Sequence, residues 1–299
     1  MNSYRHAFHA GNFADVFKHV LLIQLIDALQ RKDKPFRVFD THAGAGRYDL
    51  HSAPALKNRE YQGGIGRLWD RQDLGPELSA YQMQVRALNP DGTLRWYPGS
   101  PRLIRNRLRP TDRLTLTERH PSDFPVLEAE FAGDRHVVVQ HADGYASLKG
   151  FLPPLERRGL VFIDPAFELP GEFDRLTEAV QTIHRRWATG MVAIWYPILD
   201  RRPSLRFQQN LQELAIPAML CAELGLYPYD RPTGLHGCGM IIINPPWMLD
   251  EKLDRVLPEL LAALQTGESG QTRLEWLALQ CETVSNNLKS NRRLACPQS

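Results

Sequence analysis

The run Gly159, Leu160, Val161, Phe162, Ile163, followed at once by Asp164, Pro165, Ala166 and Phe167, restricts the fold more than any other stretch. Unbroken apolar residues, two of them β-branched, read as a strand buried on both faces, the habit of a parallel sheet between two helical layers. A carboxylate, a proline and an aromatic stand where that strand emerges, at the end where open α/β sheets bind their ligands. Related units recur along the chain. Residues 36–40 read as a strand running into Thr41, His42, Ala43, Gly44, Ala45 and Gly46, residues 113–117 end at Glu118, and residues 136–140 lead into His141, Ala142, Asp143 and Gly144. Residues 191–197 follow a helical stretch over 172–187 and precede another over 204–214. Strands alternating with helices predict an α/β fold with a mostly parallel, Rossmann-like sheet. Residues 219–224 and 240–244 flank a Gly-rich loop and are expected to close the sheet with an antiparallel edge hairpin.

The G-x-G turn after the first strand allows close backbone approach to a nucleotide-like ligand, which makes Gly44 a cofactor-binding candidate. Asp49 stands where the third glycine of a dinucleotide fingerprint belongs, which counts against NAD. Acids ending successive strands, Glu118 and Asp143, suit ribose hydroxyls and an adenine amine, because both present donors to a carboxylate. Near the N-terminus Asn12 caps a helix expected to reach about Arg31, with Asp15 at its third position and Val16, Val20 and Ile23 on one stripe. Lys18 and His19 lie in its first turns, where both could hold a ligand carboxylate. His6, His9 and His19 lack a partner of metal-site spacing, and no metal is expected.

Residues 50–96 break the strand–helix rhythm and read as a small helical insertion, irregular over 50–61 and helical over 76–88. Arg95, Arg102, Arg105, Arg107, Arg109 and Arg113 form the most basic neighbourhood, suited either to a phosphate backbone or to a solvated helix face. Residues 249–265 read as a last amphipathic helix and residues 283–299 as a disordered tail, leaving 1–282 as one domain with residues 1–35 its N-terminal tail and helix. With 299 residues, 43% hydrophobic and 23% charged, the chain has the composition of a soluble globular protein. Cys221, Cys238, Cys281 and Cys296 are scattered, so neither disulfides nor a zinc site is suggested. The longest apolar run, 191–199, is too short for a membrane span, residues 1–10 lack signal-peptide character, and a cytoplasmic location is expected.

The order of these features resembles a SAM-dependent Rossmann-like methyltransferase of the group that modifies exocyclic amines through an (Asp/Asn/Ser)-Pro-Pro-(Tyr/Phe/Trp) motif. More narrowly, SYRHAFHAGNFADVFKH, DTHAGAGRY, YPGSP, LTERHPSD, ADGY and GMIIINPPW resemble the bacterial ribosomal large-subunit methyltransferase J family over residues 1–280. The resemblance implies N6 methylation of one adenine in 23S ribosomal RNA by an enzyme expected to be monomeric, with S-adenosyl-L-methionine (SAM) as cofactor. It implies that Lys18, His19, His42, Ser100, Glu118, Asp143, Gly144 and Asp164 line the cofactor and that Tyr4 contacts the RNA. Asp164 would be the catalytic acceptor, with Pro165 and Phe167 beside it. Here the motif is Asp-Pro-Ala-Phe, and Ala166 restores an N–H and lifts a φ restriction relative to proline. Asn244-Pro245-Pro246-Trp247 matches the motif better by letters, but it follows the last strand and is expected to be structural. A DNA adenine methyltransferase would share this chemistry, and Ala166 also admits a SAM- and RNA-binding module with weakened catalysis.

Overall fold

The computed structural model describes residues 5–168, 170–228, 234–265 and 267–279, and it is built on one eight-stranded sheet. Its strands are β1 (Arg37–Asp40), β4 (Arg113–Glu118), β5 (Val137–His141), β6 (Gly159–Ile163), β7 (Met191–Ile198), β8 (Met219–Gly225), β9 (Gly237–Ile243) and β10 (Gln271–Ala278). The spatial order is β5-β4-β1-β6-β7-β9-β8-β10. β5 to β7 are parallel, and β9 enters antiparallel between β7 and β8. After β1 the chain builds outward through β4 and β5, then returns to place β6 on the other side. The topological switch therefore lies between β1 and β6, where Asp40 and Asp164 emerge side by side.

Alternate residues of the central strands enter different cores, as the period-two geometry of a strand requires. Val38, Leu160 and Phe162 face one helical layer, while Phe39, Val161 and Ile163 face the other. The first layer holds α1 (Phe13–Gln30), α4 (Pro76–Arg86), α5 (Ser100–Arg105) and α10 (Leu249–Leu264), and the second holds α7 (Gly144–Phe151), α8 (Glu172–Arg186) and α9 (Arg201–Glu213). Asn12 caps α1 by accepting from the Asp15 N–H at 2.9 Å, as its sequence predicts. The single apolar stripe expected of that helix is too narrow a description, because every residue from Phe13 to Ile26 is buried. It touches β6 and β9 as well as α4, α5 and α10, so it is enclosed rather than amphipathic.

The insertion is more regular than its sequence suggests. α2 (Ala53–Asn58) forms where an irregular segment was expected, with Pro54 in its first turn, and α3 (Ile65–Leu68) follows a turn of 3-10 helix. β2 (Arg47–Asp49) and β3 (Trp96–Pro98) pair at its base as a two-stranded antiparallel sheet, bringing the insertion's entry and exit together. Ile65, Leu68, Leu78, Tyr81 and Val85 join the same core as α1. α6 (Phe124–Glu130) completes the helices of the chain's first half.

The β8–β9 hairpin forms as expected, but it is not the sheet's last element. β10 pairs antiparallel with β8 and takes the edge, and its sequence, Gln-Thr-Arg-Leu-Glu-Trp-Leu-Ala, is too polar to announce a strand by hydrophobicity. A buried polar network fastens it. The Glu223 carboxylate accepts from Tyr196 Oη at 2.6 Å, Gln208 Nε2 at 2.7 Å, Arg201 at 2.7 Å and Arg273 of β10 at 3.3 Å. The segment expected to be disordered lies outside the described residues. No described helix is long and apolar enough to cross a membrane.

Replacing Glu223 by Ala removes the acceptor that four donors share. Because Arg201 and Arg273 retain partial access to water, the expected loss is about 2–3 kcal/mol, below that of a fully enclosed pair. Urea unfolding followed by circular dichroism measures it, and an unchanged midpoint would show that the network does not fasten the edge.

Candidate active site

The carboxyl ends of β1, β4, β5, β6 and β7 open into a cavity of about 490 Å³, closed on one side by the N-terminal segment and the start of α1. Lys18, His19, His42, Gly44, Ser100 and Glu118 all border it. So do Asp143, Gly144, Asp164, Pro165 and Phe167, and the structure thus gathers every predicted site residue that it describes. Tyr4 lies outside the described residues.

Asp164 follows the last residue of β6, and one of its oxygens receives Lys18 Nζ at 2.5 Å. The same ammonium lies 2.8 Å from Asp15, whose other oxygen accepts from His6 Nε2 and from the Gly11 N–H, each at 2.9 Å. Lys18 thus faces carboxylates rather than standing free for a ligand carboxylate. Burial would push its ammonium down, but Asp15 and then Asp164 outweigh that effect and hold it well above the ordinary lysine range. Burial likewise works to raise the Asp15 carboxyl, and the His6 and Lys18 charges hold it well below the usual value. The three histidines of the N-terminal region each have a partner: His6 meets Asp15, His9 meets Glu60 at 2.9 Å, and His19 meets Tyr97 Oη at 2.8 Å. Burial drives His19 down to about 3, so its ring is neutral at physiological pH.

At the end of β1, burial raises Asp40 to about 7, and Ser100 Oγ donates to it at 2.7 Å. The Gly44 N–H donates to Glu118 at 2.7 Å, and the His120 N–H reaches its other oxygen at 2.5 Å. These two amides orient a carboxylate that burial pushes up. Gly44 adopts φ +60°, and a Cβ there would meet Tyr48 Oη at 2.2 Å, so both conformation and space call for glycine. Gly144 approaches Thr41 so closely that a Cβ would lie 2.1 Å from its carbonyl oxygen. Asp143 caps α7 through the Ala146 N–H at 3.1 Å and receives Arg175 at 2.9 Å and Arg119 at 3.3 Å. His42 is half-buried, lowered to about 4 by desolvation, and set edge-on to Tyr145.

Beyond Asp164 the wall becomes aromatic. Phe167 lies 5.0 Å from Phe173 and 6.0 Å from Trp195 between ring centroids, and Lys18 Nζ is 5.5 Å from the Trp195 ring. Phe167 holds φ +53°, a left-handed conformation unusual for a bulky side chain. The better-lettered Asn244-Pro245-Pro246-Trp247 lies elsewhere. β9 runs antiparallel, so Ile243 pairs with Val192 at the start of β7, whereas Ile163 pairs with Ile194. Asn244 there donates to the carbonyls of Ala188 and Gly190 at 2.8 Å, bracing a turn at the opposite end of the sheet.

Three contributors to the cavity escape a reading of the sequence. Asp15 reads only as a helix-cap partner, Trp195 as one apolar letter of a strand, and Arg175 as a helix surface residue. Trp195 and Arg175 meet Phe167 and Asp143 from distant segments, and Asp15, although its partners His6, Gly11 and Lys18 are near in sequence, joins the cavity only through Lys18 reaching Asp164. The arginine neighbourhood also changes meaning. Arg95, Arg102, Arg105, Arg107 and Arg109 pair with Asp49, Glu130, Asp134, Asp27 and Asp112, so much of that positive charge is already balanced by the protein.

The sequence model of the family described as Ribosomal RNA large subunit methyltransferase D, RlmJ, matches residues 33–278. Ribosomal RNA large subunit methyltransferase J of Escherichia coli (strain K12) is 44% identical over 277 residues, covering 93% of this chain and 99% of that protein. Its namesake in Haemophilus influenzae is 42% identical over 278 residues, with the same coverage of both chains. A crystal structure of a Legionella pneumophila protein superposes with a TM-score of 0.83 at 37% identity, over 90% of this chain and 98% of that one.

Replacing Lys18 by Met leaves Asp15 and Asp164 without their shared cation, at an expected cost of about 3 kcal/mol at pH 7. Asp15 is held below its ordinary value of 3.8 in the folded protein, so its contribution is complete above that value and is lost as pH falls through the folded one. The wild-type advantage should therefore shrink between pH 7 and pH 3. Urea titrations of both proteins at the two pH values check this, and a pH-independent difference would show that charge pairing is not its source.

Proposed function

This chain belongs to the family of the ribosomal RNA large subunit methyltransferase RlmJ, and we propose that it transfers the methyl group of SAM to the exocyclic N6 of one adenine in 23S ribosomal RNA. The observation that carries the reading is the placement of Asp164 at the switch point, in one cavity with the strand-end acids Glu118 and Asp143. The donor and acceptor pattern fits SAM. Glu118 suits a ribose diol, Asp143 and the Gly144 backbone suit an adenine edge, and the G-x-G turn permits close backbone approach. His19, His42 and Ser100 would line the cofactor near its methionine end, with Lys18 beside them. When bound, SAM supplies an electrophilic sulfonium methyl group.

What the chain's own residues contribute follows from the weakness of the nucleophile. The lone pair of adenine N6 is delocalised into the ring. Hydrogen bonds from the amine to Asp164 and to the Pro165 carbonyl would favour a pyramidal nitrogen with its lone pair directed at the methyl group. Lys18 holds Oδ2 of that carboxylate, which leaves Oδ1 to accept from the amine. Asp164 would also be the nearest carboxylate to take up the proton that the methylated nitrogen must shed. Phe167 offers a face for the base, worth about 1–3 kcal/mol by the usual scale of base–aromatic stacking. An adenine paired in a stem must leave the stack to reach this wall. The reading also has Tyr4 contacting the RNA.

Asp164→Ala should abolish methyl transfer while leaving most SAM binding, whereas Asn244→Ala should leave transfer nearly intact. Labelled SAM with unmodified 23S RNA, compared against an adenine-containing DNA hairpin, measures both. Label that fails to reach RNA adenine with the wild-type protein would overturn the assignment, and an inactive but folded Asn244→Ala would mean that the other motif does the chemistry.

A further inference from the structure

Where the starts of α7 and α8 meet at the cavity wall, Asp143, Tyr145, Glu172 and Arg175 form one polar cluster that Arg119, beyond β4, joins. Asp143 Oδ2 receives Arg175 Nη2 at 2.9 Å and Arg119 Nη1 at 3.3 Å, while among the described residues Oδ1 receives only the Ala146 N–H at 3.1 Å. Arg175 lies over the Tyr145 ring at 4.6 Å, and its other nitrogen is 3.6 Å from Glu172. Tyr145 Oη donates to Glu172 at 2.6 Å, and Glu172 is itself buried. The N-terminal turns of α7 and α8 are thereby tied across the cavity wall, with Asp143, Glu172 and Arg175 all facing the cavity.

A carboxylate oxygen accepts about two hydrogen bonds. By that count Oδ2 is filled by the two guanidinium groups and Oδ1 keeps one acceptor position. We propose that Arg175 is a positioning residue for the purine of the cofactor, holding Asp143 as an oriented acceptor whose remaining site is Oδ1. This rests on the reading that Asp143 receives the adenine amine. It goes further in assigning the discrimination of an amine from a carbonyl at purine position 6 to the brace of Arg175, Tyr145 and Glu172. An acceptor-only carboxylate rewards a donor and repels a lone pair, and the brace preserves both properties. The charges around Asp143 support the geometry, since the Ala146 amide and the Arg175 and Arg119 guanidinium groups hold its carboxyl below the ordinary value against the effect of burial.

The test compares wild type, Arg175→Gln, Arg175→Lys, Asp143→Asn and the Asp143→Asn/Arg175→Gln double variant, with folding checked by circular dichroism. Calorimetric titration uses S-adenosylhomocysteine and its deaminated analogue S-inosylhomocysteine, and steady-state kinetics use SAM. Arg175→Gln should weaken S-adenosylhomocysteine about tenfold, narrow its preference over the inosyl analogue, and raise KM for SAM far more than it lowers kcat, with Arg175→Lys recovering part of the loss. If Arg175 acts through Asp143, the double variant should bind no more weakly than Asp143→Asn. Unchanged or tighter binding by Arg175→Gln, alongside a weakened Asp143→Asn, would overturn the positioning role alone. An Asp143→Asn variant that binds like wild type would overturn the underlying reading of Asp143, and the proposal with it.

Discussion

One buried cation joins the two halves of the candidate site. Lys18 rises from an enclosed helix to meet Asp164, 146 residues later in the chain, while its other side is held by Asp15. Because Lys18 and Asp15 are buried, a charge missing from such a chain leaves its neighbours uncompensated, so the helix and the strand-end turn depend on each other. Other elements converge on the same point. His6 and the Gly11 N–H close the chain from the N-terminal segment, and Asn12, which caps α1, also donates to Glu60 of the insertion at 3.0 Å. The enclosure of α1 on all sides is thus a condition of the site, since it fixes the lysine's stem within the core.

Strand direction is the second condition. Parallel strands present their carboxyl ends together, and the cavity forms there because each strand leaves behind an acid, a glycine turn or an aromatic. The antiparallel β9 sends its own carboxyl end the other way. Its Asn-Pro-Pro-Trp segment is therefore freed for a structural task, with Trp247 81% exposed to solvent.

The arrangement of β1, β4, β5 and β6 was legible because each is a short apolar run punctuated by a chemically distinctive residue, and the Asn12 cap was legible because it is local. β10 was not, because its stability comes from pairing with β8 and from Arg273 meeting Glu223, rather than from its own hydrophobicity. Within the site, the strand-end residues could be named in advance, whereas Asp15, Trp195 and Arg175 could not. Trp195 and Arg175 take their roles from contacts across the fold, and the helical spacing of Asp15 and Lys18 becomes informative only once Asp164 is brought to the same ammonium. The arginines of residues 95–109 show the converse, a conspicuous compositional signal whose charge is largely matched by acids, all but Asp112 of which lie apart in sequence.

The left-handed backbone at Phe167 places this enzyme on a particular side of the balance between stability and activity. Glycine would relax that conformation, and asparagine would tolerate it, but neither would keep an aromatic face against Trp195. Holding a bulky side chain there costs on the order of 1–2 kcal/mol, which the surrounding packing against Phe173 and Trp195 must offset. A substitution that relieved this strain would gain stability only by giving up the ring on the cavity wall, so at this position stability and the aromatic surface pull in opposite directions.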